Sequence, residues 1–229
     1  RIPSISAEPA HKADMLQCAE RWRELLIAAG VDHAEVMPSA GNPLVFAEKH
    51  VDDDAPTVLV YGHYDVMPVD PLELWLSAPF EPEVRDECIF ARGADDDKGQ
   101  SFIQLKAFEY LVRTRQLNHN VKFIFEGEEE IGSPSLNGFL QQHHDLLKCD
   151  IILVSDTSML AADLPSLTTG LRGLAYWEIE VTGHNRDLHS GHFGGAVANP
   201  INVLCEMLAQ VVDKDGRITI PHFYDEVED

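Results

Sequence analysis

Three short apolar runs constrain this chain most: Val58-Leu59-Val60-Tyr61, Val121-Lys122-Phe123-Ile124-Phe125 and Ile151-Ile152-Leu153-Val154. Continuous apolar runs of this length predict strands buried on both faces. Residues 100–114 separate the first two runs, and there Phe102, Leu105, Phe108, Leu111 and Val112 recur at helical spacing. A second helix is expected between the last two runs, after Pro134, with Leu136, Phe139, Leu140 and Leu147 on one face. Strand, helix, strand, helix, strand describes an α/β domain whose sheet is largely parallel and flanked by helices. Upstream, residues 11–29 read as an amphipathic helix stopped by Gly30, and shorter strands are expected near 33–37 and 43–48.

In such sheets ligands gather beyond the carboxyl ends of the strands. His63, Asp65, Glu129, Glu130 and Asp156 each lie just past the end of a predicted strand, and Asp96 lies just before a predicted helix. Glu128, Glu129 and Glu130 are adjacent, so they repel one another, and bound cations would relieve that repulsion. Each feature has a plainer reading: a polar turn for His63 and Asp65, helix capping for Asp95, Asp96 and Asp97, a solvated charge run for the glutamates. Three aspartates exceed what capping requires, and one of them could bridge two metals; spacing does not choose among them. One glutamate can ligate while its neighbour accepts a proton. Together the imidazole and carboxylates suit a two-zinc hydrolase. HExxH, P-loop, GxSxG and helix-opening GxGxxG patterns are absent from the sequence.

The balance of 17 Lys and Arg against 39 Asp and Glu, a formal charge of −22, argues against nucleic acid or an anionic membrane as partner. No apolar run approaches the ~20 residues of a membrane-spanning helix. Cys18, Cys88, Cys149 and Cys205 form no CxxC pair, and buried free thiols in a reducing, cytoplasmic setting are expected. After Gly170-Leu171-Arg172-Gly173 the pattern changes, with Ala175, Trp177, Ile179 and Val181 alternating with Tyr176, Glu178 and Glu180 as in a half-exposed strand. A Gly- and His-rich loop and a helix follow; Asn199 is its N-cap, Pro200 its first residue, and Ile201, Leu204, Leu208 and Val211 its inward face. The expected domains are therefore 1–168 and 169–229.

Six motifs in order extend this reading: Gly62-His63-Tyr64-Asp65-Val66, Arg92-Gly93-Ala94-Asp95-Asp96-Asp97-Lys98-Gly99, Glu126 to Ser133, Ser155-Asp156-Thr157, Gly170-Leu171-Arg172-Gly173 and Asp187-Leu188-His189-Ser190-Gly191. In this order they resemble the M20 metallopeptidases, in particular the carnosinase-like and nonspecific-dipeptidase branch. The resemblance implies a zinc-binding catalytic domain over 1–168 and the first part of an α+β lid and dimerisation domain over 169–229. It implies two Zn²⁺ per complete site, with Mn²⁺ or Co²⁺ as substitutes, and dipeptides or short peptides as substrates. His63 and Asp156 would bind one metal, Asp96 would bridge both, and Glu130 would bind the second. Glu129 would be the general base, Asp65 would support His63, and His189 would reach a substrate carbonyl from the lid of a homodimer. The family's last ligand is a histidine far along the chain; His222 has no matching context, so a partial catalytic domain is expected here. Deacylation of N-acyl amino acids, or a catalytically silent metal-binding or dimerisation piece, are the alternatives.

Overall fold

The computed structural model describes residues 1–161 and 163–227. The chain divides into two compact units, Arg1–Thr168 and Thr169–Asp229. In the first unit the elements are α1 (Lys12–Ala29), β1 (His33–Met37), β2 (Leu44–Lys49), β3 (Thr57–His63), β4 (Glu83–Arg85), β5 (Cys88–Phe90), α2 (Lys98–Arg113), β6 (Asn120–Glu126), α3 (Leu136–Gln142) and β7 (Ile151–Val154). Gly30 ends α1 in the left-handed region, with φ of 105°, as a helix-terminating glycine should.

Five strands form one sheet in the order β1-β2-β6-β3-β7. Chain connectivity reverses around β3: α2 leads to β6 on one side, and α3 then leads to β7 on the other. The side-chain period of two divides the core between the sheet's faces. Val45, Ala47, Val60, Phe123 and Phe125 pack with Met15, Trp22 and Leu26 of α1 and Leu105 and Phe108 of α2. Leu44, Phe46, Leu59 and Ile124 pack instead with Phe139 of α3 and with Leu147. Aromatic contacts anchor the first layer, Trp22 to Phe125 at 4.8 Å and Phe108 to Phe123 at 5.3 Å between ring centroids.

The sheet corrects the expectation of a largely parallel arrangement. β3 pairs in parallel with β6 and β7, but β2 is antiparallel to both β1 and β6. The short 38–43 connection makes a hairpin of β1 and β2, and β2 then closes against the far side of β6. Nor is β7 buried on both faces: it is an edge strand, with Ile151, Ile152 and Val154 exposed. Its composition is that of a covered strand, but among the described residues of the first unit only Leu153 of this strand packs against the core. α3 stops at Gln142, so Leu147 reaches the core from the turns that follow.

In the second unit α4 (Ser190–Phe193) and α5 (Pro200–Leu208) are the helices among the described residues. Asn199 caps α5 as its sequence predicts, its side chain accepting from the Ile201 N–H at 3.0 Å. The expected strand over 175–181 is not formed. A half-exposed strand needs a ladder partner and a layer beneath it, and neither is present among the described residues; Tyr176 and Trp177 stand in the open. For the same reason Ile201 and Leu208 are exposed and not inward. All four cysteines are free, but only Cys18 is buried, which narrows the expectation of buried thiols to one.

Candidate metal centre

The parallel register sets the site. His63, last residue of β3, stands beside Glu126, last residue of β6, and β7 ends level with Tyr61, so Asp156 emerges at the same edge. The His63 ring is fully buried. Its Nδ1 donates to the Asp65 main-chain oxygen at 3.1 Å and lies 3.3 Å from Asp65 Oδ1. That leaves Nε2 as the ring's free nitrogen, and it makes no hydrogen bond although it is buried. It lies 3.0 Å from Asp96 Oδ1, 3.4 Å from Asp156 Oδ2 and 4.0 Å from Glu129 Oε2.

These distances fit a metal. Zinc bonds of about 2.0–2.2 Å at tetrahedral angles put neighbouring ligand atoms roughly 3.3 Å apart. Ligand atoms of His63, Asp96 and Asp156 all lie within 4.8 Å of one another. The local field asks for a cation as well. Burial pulls the His63 pKa down, but the Asp65 hydrogen bond and the charges of Asp65, Asp97 and Asp156 push it up to about 10. A buried imidazole nitrogen without a hydrogen-bond partner, ringed by carboxylates, is an arrangement that a bound cation would satisfy.

The acidic run that is uniform in sequence divides into separate tasks. Glu126 is buried and accepts from Tyr61 Oη at 2.6 Å and Ser133 Oγ at 2.9 Å. Glu128 is buried too, accepting from the main-chain N–H groups of Asn42 at 2.9 Å and Ser135 at 3.1 Å. Both are structural. Glu129 and Glu130 instead open a short 3₁₀ turn, Glu129–Ile131. Their main-chain N–H groups donate to the two Asp65 oxygens, at 3.2 Å from Glu129 and 3.1 Å from Glu130. Asp65 therefore orients the His63 ring and clamps the turn that carries both glutamates, a second job that sequence reasoning missed. Burial, with nearby carboxylates, raises the pKa of Glu129 and of Glu130, while His63 opposes the shift in both.

Gly41 makes the Glu128 contact possible, since a Cβ there would fall 1.8 Å from Glu128 Oε1. Gly41→Ala should therefore evict a buried carboxylate from both of its donors and cost about 1–3 kcal/mol of stability. Denaturant unfolding checks this, and an unchanged midpoint would contradict it.

His189 belongs to the second unit, where its Nδ1 accepts from the Gly191 N–H at 3.0 Å and its ring packs against His192. His222 is exposed and pairs with Asp225 at 2.6 Å.

Comparison with known proteins decides the family. The profile of peptidase family M20/M25/M40 matches residues 59–222. The chain belongs to this family. Among M20 relatives, the Beta-Ala-His dipeptidase of Mus musculus is 35% identical over 224 residues, covering 93% of this chain and 45% of that protein. The Cys-Gly metallodipeptidase DUG1 of Candida albicans is 37% identical over 190 residues, covering 81% of this chain and 39% of that protein. Among solved structures, the M20 family metallo-carboxypeptidase Sso-CP2 from Sulfolobus solfataricus superposes with a TM-score of 0.78 at 33% identity, covering 100% of this chain and 51% of that one. Human carnosine dipeptidase 1 gives 0.74 at 27% identity, with 100% and 51% covered. The chain thus spans about half the length of the M20 relatives it matches. No helix among the described residues is long and apolar enough to cross a membrane.

Proposed function

We propose that the protein carrying this chain is a metal-dependent peptidase that hydrolyses the peptide bond of dipeptides or short peptides. The observation that carries the reading is the buried His63 Nε2, which makes no hydrogen bond and faces Asp96 and Asp156 at ligand distances. His63, Asp96 and Asp156 would hold one divalent ion, with Asp96 shared with a second ion bound by Glu130; zinc fits these nitrogen and oxygen donors, and Mn²⁺ or Co²⁺ would substitute. When bound, the metals supply Lewis-acid polarisation of the scissile carbonyl and a lowered pKa for the attacking water.

The chain's own groups do the rest. Glu129, half exposed and near His63, accepts the water proton as the oxygen bonds to the carbonyl carbon. It then returns the proton to the departing amine nitrogen as the C–N bond breaks. Its raised pKa brings it nearer the working pH, which suits a group that both takes and gives. Asp65 holds the base in place through the Glu129 N–H. His189, on a second unit that we read as part of a lid and dimerisation domain, would donate to the developing oxyanion. The first unit is then part of the catalytic domain, and a homodimer is the expected assembly. Four free cysteines suit a reducing compartment such as the cytoplasm.

The substrate class rests on the relatives' names, which are those of dipeptidases. The test is an assay of the full-length protein against β-Ala-His, Cys-Gly and a series of N-acetyl amino acids, with added Zn²⁺ or Mn²⁺. Metal-dependent cleavage of the dipeptides is expected. Turnover of the acyl amino acids alone would replace the peptidase reading with deacylation, and zinc binding without turnover would mark a silent binding module.

A further inference from the structure

Asp97 is fully buried, follows Asp96 directly, and is not accounted for by the site described above. Its Oδ2 accepts two hydrogen bonds, from the His63 main-chain N–H at 3.0 Å and from Ser101 Oγ at 2.7 Å. The strand geometry explains the first. The Tyr64 N–H bonds across to Glu126 of β6, so by strand alternation the His63 N–H points to the opposite side. There β7 has already ended, level with Tyr61. Without Asp97 the His63 N–H would be a buried donor with no acceptor.

The surroundings are shaped for this contact. A Cβ on residue 62 would fall 2.2 Å from Ser101 Oγ and 2.8 Å from Asp97 Oδ2, so Gly62 is the residue that lets the carboxylate approach the strand. Ser101, in the first turn of α2, is itself buried, and its N–H donates to the Asp97 main-chain oxygen at 2.9 Å.

We propose that Asp97 is a positioning residue for the metal centre: by fastening the end of β3 to the start of α2, it sets the separation between His63 and the adjoining Asp96. The proposal rests on the metal reading above. Loss of a partner that orients a ligand typically weakens metal binding by about 10–100-fold, and Asp97→Ala should do so here. Because both bonds go to one oxygen, the carbonyl of Asp97→Asn can accept both, and that variant should keep most of the affinity. Ser101→Ala removes one of the two bonds and should fall between.

The experiment is zinc titration of the full-length protein against a chromophoric chelator, with the apo-protein unfolding midpoint recorded for each variant. At saturating zinc, Asp97→Ala should lower kcat more than it raises KM, since the ligands shift while Asp97 itself is fully buried and offers no surface to a substrate. The expected result is weakened zinc binding by Asp97→Ala, rescued by Asn, measured well below the unfolding transition; the midpoint of Asp97→Ala should itself fall, because the buried His63 N–H loses its acceptor. Should Asp97→Ala not fold, Ser101→Ala decides by the same titration. Wild-type zinc affinity in Ser101→Ala or Asp97→Ala, or affinity in Asp97→Asn as poor as in Asp97→Ala, would overturn the proposal. A wild-type protein that binds no zinc would overturn the metal reading and this inference together, so the two failures are told apart.

Discussion

Glu129→Gln will lower dipeptide turnover by the full-length protein about 10²–10⁴-fold while leaving its bound metal close to wild type. Gln keeps the length and shape of Glu but cannot take a proton. Asp65 holds residue 129 by its main-chain N–H, which the substitution preserves. The carboxylate is half exposed and, at 4.0 Å, stands farther from His63 Nε2 than the Asp96 and Asp156 oxygens do. On the function proposed above, that placement suits a group that acts on a water more than one that completes the ligand set. Glu130→Gln is the contrast: Asp96 is its strongest charged neighbour, so its loss should lower metal content first. Metal analysis by mass spectrometry beside steady-state kinetics separates the two. A Glu129→Gln protein that is active, or a reversed pattern between the pair, would reassign the roles.

His63→Ala will reduce zinc affinity by more than the 10–100-fold typical of losing an outer partner, because it removes a donor atom itself. His63 is the one nitrogen donor of the cluster, and it is rigid: the ring is fully buried, held at Nδ1 by Asp65 and at its main chain by Asp97. Its removal also leaves Asp96 and Asp156 facing one another with no positive group between them, which opposes folding as well as binding. Chelator competition on the purified variant measures the first effect, and apo-protein stability measures the second. Zinc affinity within experimental scatter of wild type would exclude His63 as a ligand.

Much of the site's location was legible in residues alone. Three apolar runs predicted three parallel neighbours, and the polar residues that end them do meet at one edge of the sheet. What the sequence does not carry is the division of labour within a run of like charges. Glu128 differs from Glu129 because Asn42, far upstream, and Ser135 present N–H groups to it; Asp97 differs from Asp96 because β7 stops short and leaves the His63 N–H open, with Ser101 beside it. In each case one of the two contacts is distant in sequence. The antiparallel β2 escaped for a related reason, since a strand's direction is set by which neighbour it finds. Apolar alternation over 175–181 and the apolar face of α5 state a need for cover, and among the described residues of the second unit that need is unmet.

Zinc-edge anomalous diffraction from crystals of the full-length protein tests the central claim most directly. The account predicts two zinc peaks, one enclosed by His63, Asp96 and Asp156 and the other reached by Asp96 and Glu130. Zinc bound elsewhere while His63 Nε2 stays free of metal, or no zinc at all in a protein that still cleaves dipeptides, would contradict it.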